Sequence, residues 1–157
     1  MTRSIIIIAT LSIFAIACTR DIAPKMVTDL TTDVIVKDKS GNNLLSTNNA
    51  DSYTFGDIHL YNVNADGSRG ELFNSTFLRY FEMMTDQSGQ SILRIHPAMS
   101  NNQKTIITAI RWRINDEDVI EFAVSSDPLK SGHTKCNGKP TTQSTNPAAR
   151  RVVEIIK

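Results

Sequence analysis

The chain holds little of what marks a disulfide scaffold, a nucleic-acid binder or a familiar enzyme. Only two of its 157 residues are cysteine, Cys18 and Cys136, so no disulfide framework is encoded. Aromatic residues make up 6%, with one Trp and three Tyr, a supply that a core would largely consume. Charges of one sign never accumulate: 17 basic residues stand against 16 acidic ones, and no run of about five or six like charges occurs. The basic stripe of a nucleic-acid footprint is therefore missing, and a nucleic-acid partner is not expected. Arg111, Arg113, Arg150 and Arg151 are the densest positive groups, and they read as solvent faces of strands. No G-x-S-x-G elbow, H-E-x-x-H helix, P-loop or G-x-G-x-x-G fingerprint is present. His59, His96 and His133 lie in separate segments without metal-ligand spacing. Cys136 could pair with a histidine as a nucleophile, but no local signature supports it, and an inert, buried or semi-buried thiol is the expectation. The sequence thus predicts a protein that is not an enzyme and holds no cofactor.

What is present begins at the N-terminus. Arg3 precedes an unbroken run of apolar and small residues, Ile5 to Ala17, and Ala15-Ile16-Ala17 sets small side chains three and one positions before Cys18. The run fits the ~7–15 residues of a signal-peptide apolar region and falls well short of the ~20 that a spanning helix needs. MTRSIIIIATLSIFAIAC resembles a bacterial lipoprotein signal. That resemblance implies cleavage before Cys18, lipid on its sulfur, and attachment to a membrane of the cell envelope as an outer membrane lipoprotein, periplasmic or surface-exposed. Ala-Ile-Ala also satisfies an ordinary signal peptidase cutting at the same bond. Cys18 would then be a free thiol able to bridge to Cys136 in an oxidising compartment. A cysteine at the first mature position is uncommon by chance, which favours lipidation. Loss of Arg3 with residues 1–17 balances the mature charge.

Residues 18–31 carry Pro24 and show neither helical nor strand period, so they read as a tether. Its mixed stretch, 19–31, could extend to on the order of 40 Å at ~3.3 Å per residue. Residues 32–157 read as one domain, long enough to bury roughly two-thirds of the surface of its unfolded chain without covalent staples. Strands are expected over 32–37, 57–63, 91–96, 104–114, 119–125 and 150–157, with less regular extended structure over 71–73 and 76–84. Turn clusters separate them, notably 38–43, Asn64-Ala65-Asp66-Gly67, Gln87 to Gln90 and Asn137-Gly138. Along 76–84, Phe77, Arg79, Phe81 and Met83 share one face and Leu78, Tyr80, Glu82 and Met84 the other. Neither face is clean, which leaves partial helix open there. Val153 and Ile155 alternate with Val152, Glu154 and Ile156 in the last strand. Seven or eight short strands at this spacing predict an all-β fold, an antiparallel β-sandwich of immunoglobulin-like or transthyretin-like type.

One pairing register is arguable. Trp112 opposite Phe122 also places Ile110 against Val124 and Ile114 against Ile120, with Asp116-Glu117-Asp118 as a three-residue loop. A two-residue loop would set Trp112 against Glu121 and turn one apolar face to solvent. The longer loop is therefore expected, with Trp112 and Phe122 as a cross-strand pair.

Several of these elements are similar to parts of one family. Asp38-Lys39-Ser40-Gly41-Asn42-Asn43-Leu44-Leu45 resembles a D-x-x-G-N-D-L-L element. Ile110-Arg111-Trp112, an acidic turn and Asp118-Val119-Ile120-Glu121-Phe122 resemble a hairpin with D-T-I-x-x-E. Asn137-Gly138-Lys139 and a closing apolar strand ending in Lys157 complete the likeness to small Bacteroidota lipoproteins with a β-sandwich domain. Asn43, Val119 and Lys135-Cys136 depart from that pattern. The resemblance covers roughly residues 18–157 and implies localisation and fold class, with no activity and no functional residues attached.

Two weaker signals concern ligands. Asn62, Asn64 and Asp66, followed by Gly67, match the first half of an EF-hand-like calcium loop, but position 12 is Phe73 where a bidentate glutamate is required. A hairpin turn is the plainer reading. Trp112, Tyr53, Tyr61 and Tyr80 would suit a carbohydrate-stacking platform, although Trp112 is already assigned to the core. The sequence thus predicts a membrane-anchored binding or structural module. The second expectation is a carbohydrate- or peptide-binding accessory lipoprotein in an uptake or adhesion assembly. An envelope protein or glycan is the partner class in either case.

Overall fold

The computed structural model describes residues 30–72, 80–98, 104–124, 133–141 and 151–157. Residues 1–29, which include the leader, Cys18 and nearly all of the tether, lie outside them, as do Phe77, Leu78 and Arg79. Ten strands and no helix occur among the described residues: β1 Thr32–Lys37, β2 His59–Val63, β3 Arg69–Glu71, β4 Phe81–Thr85, β5 Ser91–Ile95, β6 Thr105–Arg113, β7 Asp116–Ala123, β8 Thr134–Cys136, β9 Lys139–Pro140 and β10 Arg151–Ile156. They form two sheets, ordered β10-β1-β5-β4 and β3-β2-β6-β7-β8-β9. The architecture is an all-β sandwich.

Period-two patterning explains the layers. Val34, Val36, Phe81, Leu93, Ile95, Val153 and Ile155 of the first sheet meet Leu60, Ile106, Ile110, Trp112, Ile120 and Phe122 of the second in one buried cluster. Each fully buried side chain of this kind contributes about 1.5–3 kcal/mol. In β10, Val153 and Ile155 point inward while Val152 and Ile156 stay exposed, the alternation that the sequence predicts. Leu44 and Leu45, just after the first turn, cover the core where the Leu44 N–H donates to the Val36 carbonyl.

The sandwich is antiparallel-rich with one exception. The first and last strands run parallel, from Thr32 beside Arg151 to Lys37 beside Ile156. A parallel pair needs a long crossover, here the whole domain between β1 and β10.

Three turns share one geometry: Asp38–Asn42, Asn64–Ser68 and Asp86–Gln90. In each, the first N–H donates to the fifth carbonyl and the fourth N–H to the first carbonyl. The fourth residue is Gly41, Gly67 or Gly89, at φ 86°, 81° and 86°, where a Cβ is disfavoured. Asn137 and Gly138 both adopt positive φ and close the two-residue β8–β9 hairpin, the type I′ turn that Asn-Gly encodes.

The β6–β7 register departs from expectation. Phe122 pairs with Ile106 rather than Trp112, Thr108 faces Ile120, and Ile110 faces Asp118. The turn is the tight Ile114-Asn115 step, with Asn115 at φ 64°, and Asp116-Glu117-Asp118 belongs to the strand. A bulge between Arg111 and Arg113 explains the difference. It absorbs one residue at Trp112, so a two-residue loop no longer flips the faces. Ile106, Thr108 and Ile110 still share the buried side with Ile120 and Phe122. Ile114, expected inside, sits on the turn and is 86% exposed.

Candidate functional site

That register puts two carboxylates on the inner face of β7, at the end of the core. Asp118 is buried, and burial of a carboxylate demands partners. Its Oδ2 accepts from Trp112 Nε1 at 2.6 Å and from Lys157 Nζ at 2.5 Å, and its Oδ1 accepts from Asn137 Nδ2 at 2.7 Å. Asn137 is itself fixed, because its Oδ1 accepts the Val119 N–H at 2.9 Å. The left-handed turn thus aims one side chain at two points on β7.

Asp116 completes the cluster. Its Oδ1 accepts from Lys157 Nζ at 2.5 Å and its Oδ2 from the Tyr53 hydroxyl at 2.6 Å. Burial raises this carboxyl, but the bonds from Lys157 and Tyr53 outweigh it and hold the acid below the usual carboxylate range. Burial, with the Asp116 carboxylate, pushes the Tyr53 phenol far above its ordinary value, so it stays a donor. Tyr53 stacks on Trp112 with ring centroids 5.2 Å apart, and the Arg113 guanidinium lies over the Tyr53 ring at 4.9 Å. Arg113 also donates to the carbonyls of Asp51 and Ser52.

Lys157 is the link between sheets. Its backbone N–H donates to the Lys37 carbonyl in the first sheet. Its side chain crosses the Trp112 ring at 5.8 Å to reach β7 in the second. One ammonium therefore bridges two carboxylates beside a fully buried indole. Cys136 lies close by and is half-buried; burial pushes its thiol up to about 11, and its charged neighbours are Asp118 and Lys157. A thiol of that kind is a poor nucleophile at neutral pH.

A second polar cluster lies on the outer face of the second sheet. His59 Nδ1 sits 2.6 Å from Glu71 Oε1, His59 stacks beside Tyr61, and the Arg111 guanidinium lies 5.3 Å over the Tyr61 ring. Arg69 of β3 reaches Glu117 of β7 at 2.6 Å, across the two strands between them.

The residues singled out from the sequence are scattered by the fold. Cys18 is outside the described residues. Asn62, Asn64 and Asp66 sit at the end of β2 and in its turn. There Asn64 Oδ1 accepts from Asn62 Nδ2, Asn64 Nδ2 donates to the Ser68 hydroxyl, and Asp66 Oδ1 accepts the Ser68 N–H. Among the described residues, no three histidine, cysteine or acidic side chains are grouped to hold a metal. The four aromatics of the supposed platform part company: Trp112 and Tyr53 are buried at the core's end, Tyr61 lies on the outer face, and Tyr80 packs against the core. His96 approaches Thr31 and Glu82, remote in sequence from His59.

The Asp116–Asp118–Lys157 cluster is absent from the sequence reading, which spends both acids on a loop. One signal pointed to it. Asp116 and Asp118 continue the same alternation as Ile120 and Phe122, so a strand through them must bury carboxyl groups. Among known proteins, no family model matches the chain and no curated protein or solved structure is significantly similar to it.

Proposed function

We propose that the protein is a cell-envelope lipoprotein whose sandwich serves as a non-enzymatic binding or structural module held to the membrane through Cys18. The observation that carries this reading is the leader itself: Arg3, the apolar run Ile5 to Ala17, and Ala-Ile-Ala immediately before Cys18. Two further points support it. Thirteen residues, 19–31, separate Cys18 from β1 at Thr32, room enough for lipid and domain to act independently. At the best-built polar cluster, the acceptor atoms of Asp116 and Asp118 are already engaged by Tyr53, Trp112, Asn137 and Lys157. Such a cluster suits fastening the domain better than turning over a substrate. The partner would be an envelope protein or glycan.

Metabolic labelling with an alkyne fatty acid tests the anchor. The full chain should take up label and partition into detergent, and C18A should do neither. A mature N-terminus found as unmodified Cys18 would sink the proposal.

A further inference from the structure

We propose that Lys157 and Asp118 condense into an intramolecular amide that joins the two sheets covalently. The geometry supplies each part such a step needs. The nucleophile is Lys157 Nζ, 2.5 Å from Asp118 Oδ2. An amine hydrogen-bonded at that distance lies within the roughly 3–3.5 Å near-attack range of the carboxyl carbon. The electrophile is placed between two donors, Trp112 Nε1–H on Oδ2 and Asn137 Nδ2–H on Oδ1. Asn137 Nδ2–H holds Oδ1, on which negative charge gathers as the carbon becomes tetrahedral, and Trp112 Nε1–H holds Oδ2, the oxygen that leaves as water.

The site's burial matters as much as its distances. Asp118 is 4% exposed and Trp112 0%. Burial of the Asp118 carboxyl beside the indole keeps bulk water from the reacting carbon. Asp116 provides the proton path, because its Oδ1 is also 2.5 Å from Lys157 Nζ and the Tyr53 hydroxyl holds its other oxygen.

The step balances without a co-reactant. One ammonium proton passes to Asp118, leaving a neutral amine and a carboxylic acid. The Nζ–Cγ bond forms, Asp116 takes a second proton from nitrogen and returns it to the departing hydroxyl, and the Cγ–O bond breaks to release water. The amide keeps one N–H, which donates to the Asp116 carboxylate. Effective molarities of about 10⁵–10⁸ M for groups fixed this way lower the barrier to the attack. Its consequence is mechanical. β10 ends at Ile156, and the bond would prevent this strand from peeling off β1 without also moving β7.

Mass spectrometry of the folded full-length chain decides the question. The expected mass is one water below that calculated for the observed N-terminus. Trypsin should yield peptide 152–157 joined to peptide 114–130. K157R should show the full mass and two separate peptides. D116N keeps nucleophile and electrophile but removes the proton carrier, and cross-linking should slow by about 10²–10⁴, the range of general acid–base catalysis. Full mass in the wild-type chain after prolonged incubation in the folded state overturns the proposal. So does a dehydrated chain whose two peptides remain separate, the outcome of succinimide formation at Asp66-Gly67.

Discussion

Aspartate does two different jobs in this protein, and the contrast shows which parts of a fold can be read locally. In the turns, Asp38 Oδ1 accepts the N–H groups of Ser40 and Asn42, and Asp86 Oδ1 those of Ser88 and Gln90. Every partner lies within four residues, in water, in a loop that the carboxylate itself helps to shape. At the end of the core, Asp116 and Asp118 find Tyr53 and Lys157 at separations of 63, 41 and 39 residues. A local carboxylate trims a turn that glycine already permits. A buried one commits distant strands to each other, and its removal strands several donors together.

The largest expected effect follows from that asymmetry. Relative to chains not yet cross-linked, Asp118→Ala leaves the Trp112 N–H, the Asn137 amide and the Lys157 ammonium facing a gap. Breaking a buried pair in this way costs about 3–5 kcal/mol, which urea unfolding followed by Trp112 fluorescence would read directly. A loss below about 1 kcal/mol would mean that water replaces the carboxylate freely. The contrast with the turns would then fail.

Tyr53→Phe sharpens the same side more gently. The ring keeps its stack on Trp112 and its cover by Arg113, and only the bond to Asp116 disappears. A hydrogen bond to a charged acceptor contributes about 1.5–3 kcal/mol. Asp116 is partly exposed, so the lower end, about 1.5 kcal/mol, is expected in the same titration. An unchanged midpoint would show that the phenol–carboxylate bond merely replaces equivalent bonds to water.

Legibility of the sequence divides along the same line. The turns at Gly41, Gly67, Gly89 and Asn137-Gly138, and the inward Val153 and Ile155, rest on backbone sterics and period-two burial. Those properties are local, and the sequence shows them. The register of β6 on β7 depends on a bulge at Trp112, and nothing in Ile110-Arg111-Trp112-Arg113 distinguishes a bulged strand from a regular one. Parity survives because burying the apolar face demands it, while the offset is set by a turn and a bulge acting together. The parallel pairing of β1 with β10 is equally hidden, since both strands read as ordinary edge-length alternations. Of the polar cluster, the acids read as a loop, although their alternation with Ile120 and Phe122 continues the strand pattern. Their partners, Lys157 and Tyr53, come from opposite ends of the domain.

On the turn side, Gly89→Ala tests whether glycine rather than the acid carries the local geometry. A Cβ there would meet nothing within 4 Å, so crowding is not the issue. The residue sits at φ 86°, and an L side chain in the left-handed region costs about 1–2 kcal/mol. Thermal unfolding should show a loss of that order. Asp86→Ala should lose less, because the backbone bonds from Asp86 to Gln90 and from Gly89 to Asp86 remain. Equal losses would assign the turn's stability to its carboxylate and narrow the difference between the two classes of aspartate.

The smallest effect is a pH dependence, and its sign can be worked out. Hydrogen bonds from Asn42, Ser68 and Ser88 hold the Asp38, Asp66 and Asp86 carboxyls below their ordinary value. Each acid therefore binds its proton more weakly in the folded chain than in the unfolded one. The stability they contribute is fully present above the unfolded value of about 3.9 and is lost as pH falls through the lower folded values. Unfolding free energy should accordingly change little from neutrality down to about pH 5 on their account, and decline below about pH 4. Asp38→Asn keeps an acceptor oxygen for the Ser40 and Asn42 N–H groups but cannot titrate. It should leave stability at neutral pH nearly unchanged and make the acid limb shallower. Asp116→Asn, by contrast, should lower stability already at neutral pH, because Lys157 and Tyr53 lose a charged acceptor. An acid limb that Asp38→Asn leaves untouched would show that the turn carboxylates keep the same proton affinity in both states, and the acid sensitivity would then belong to Asp116.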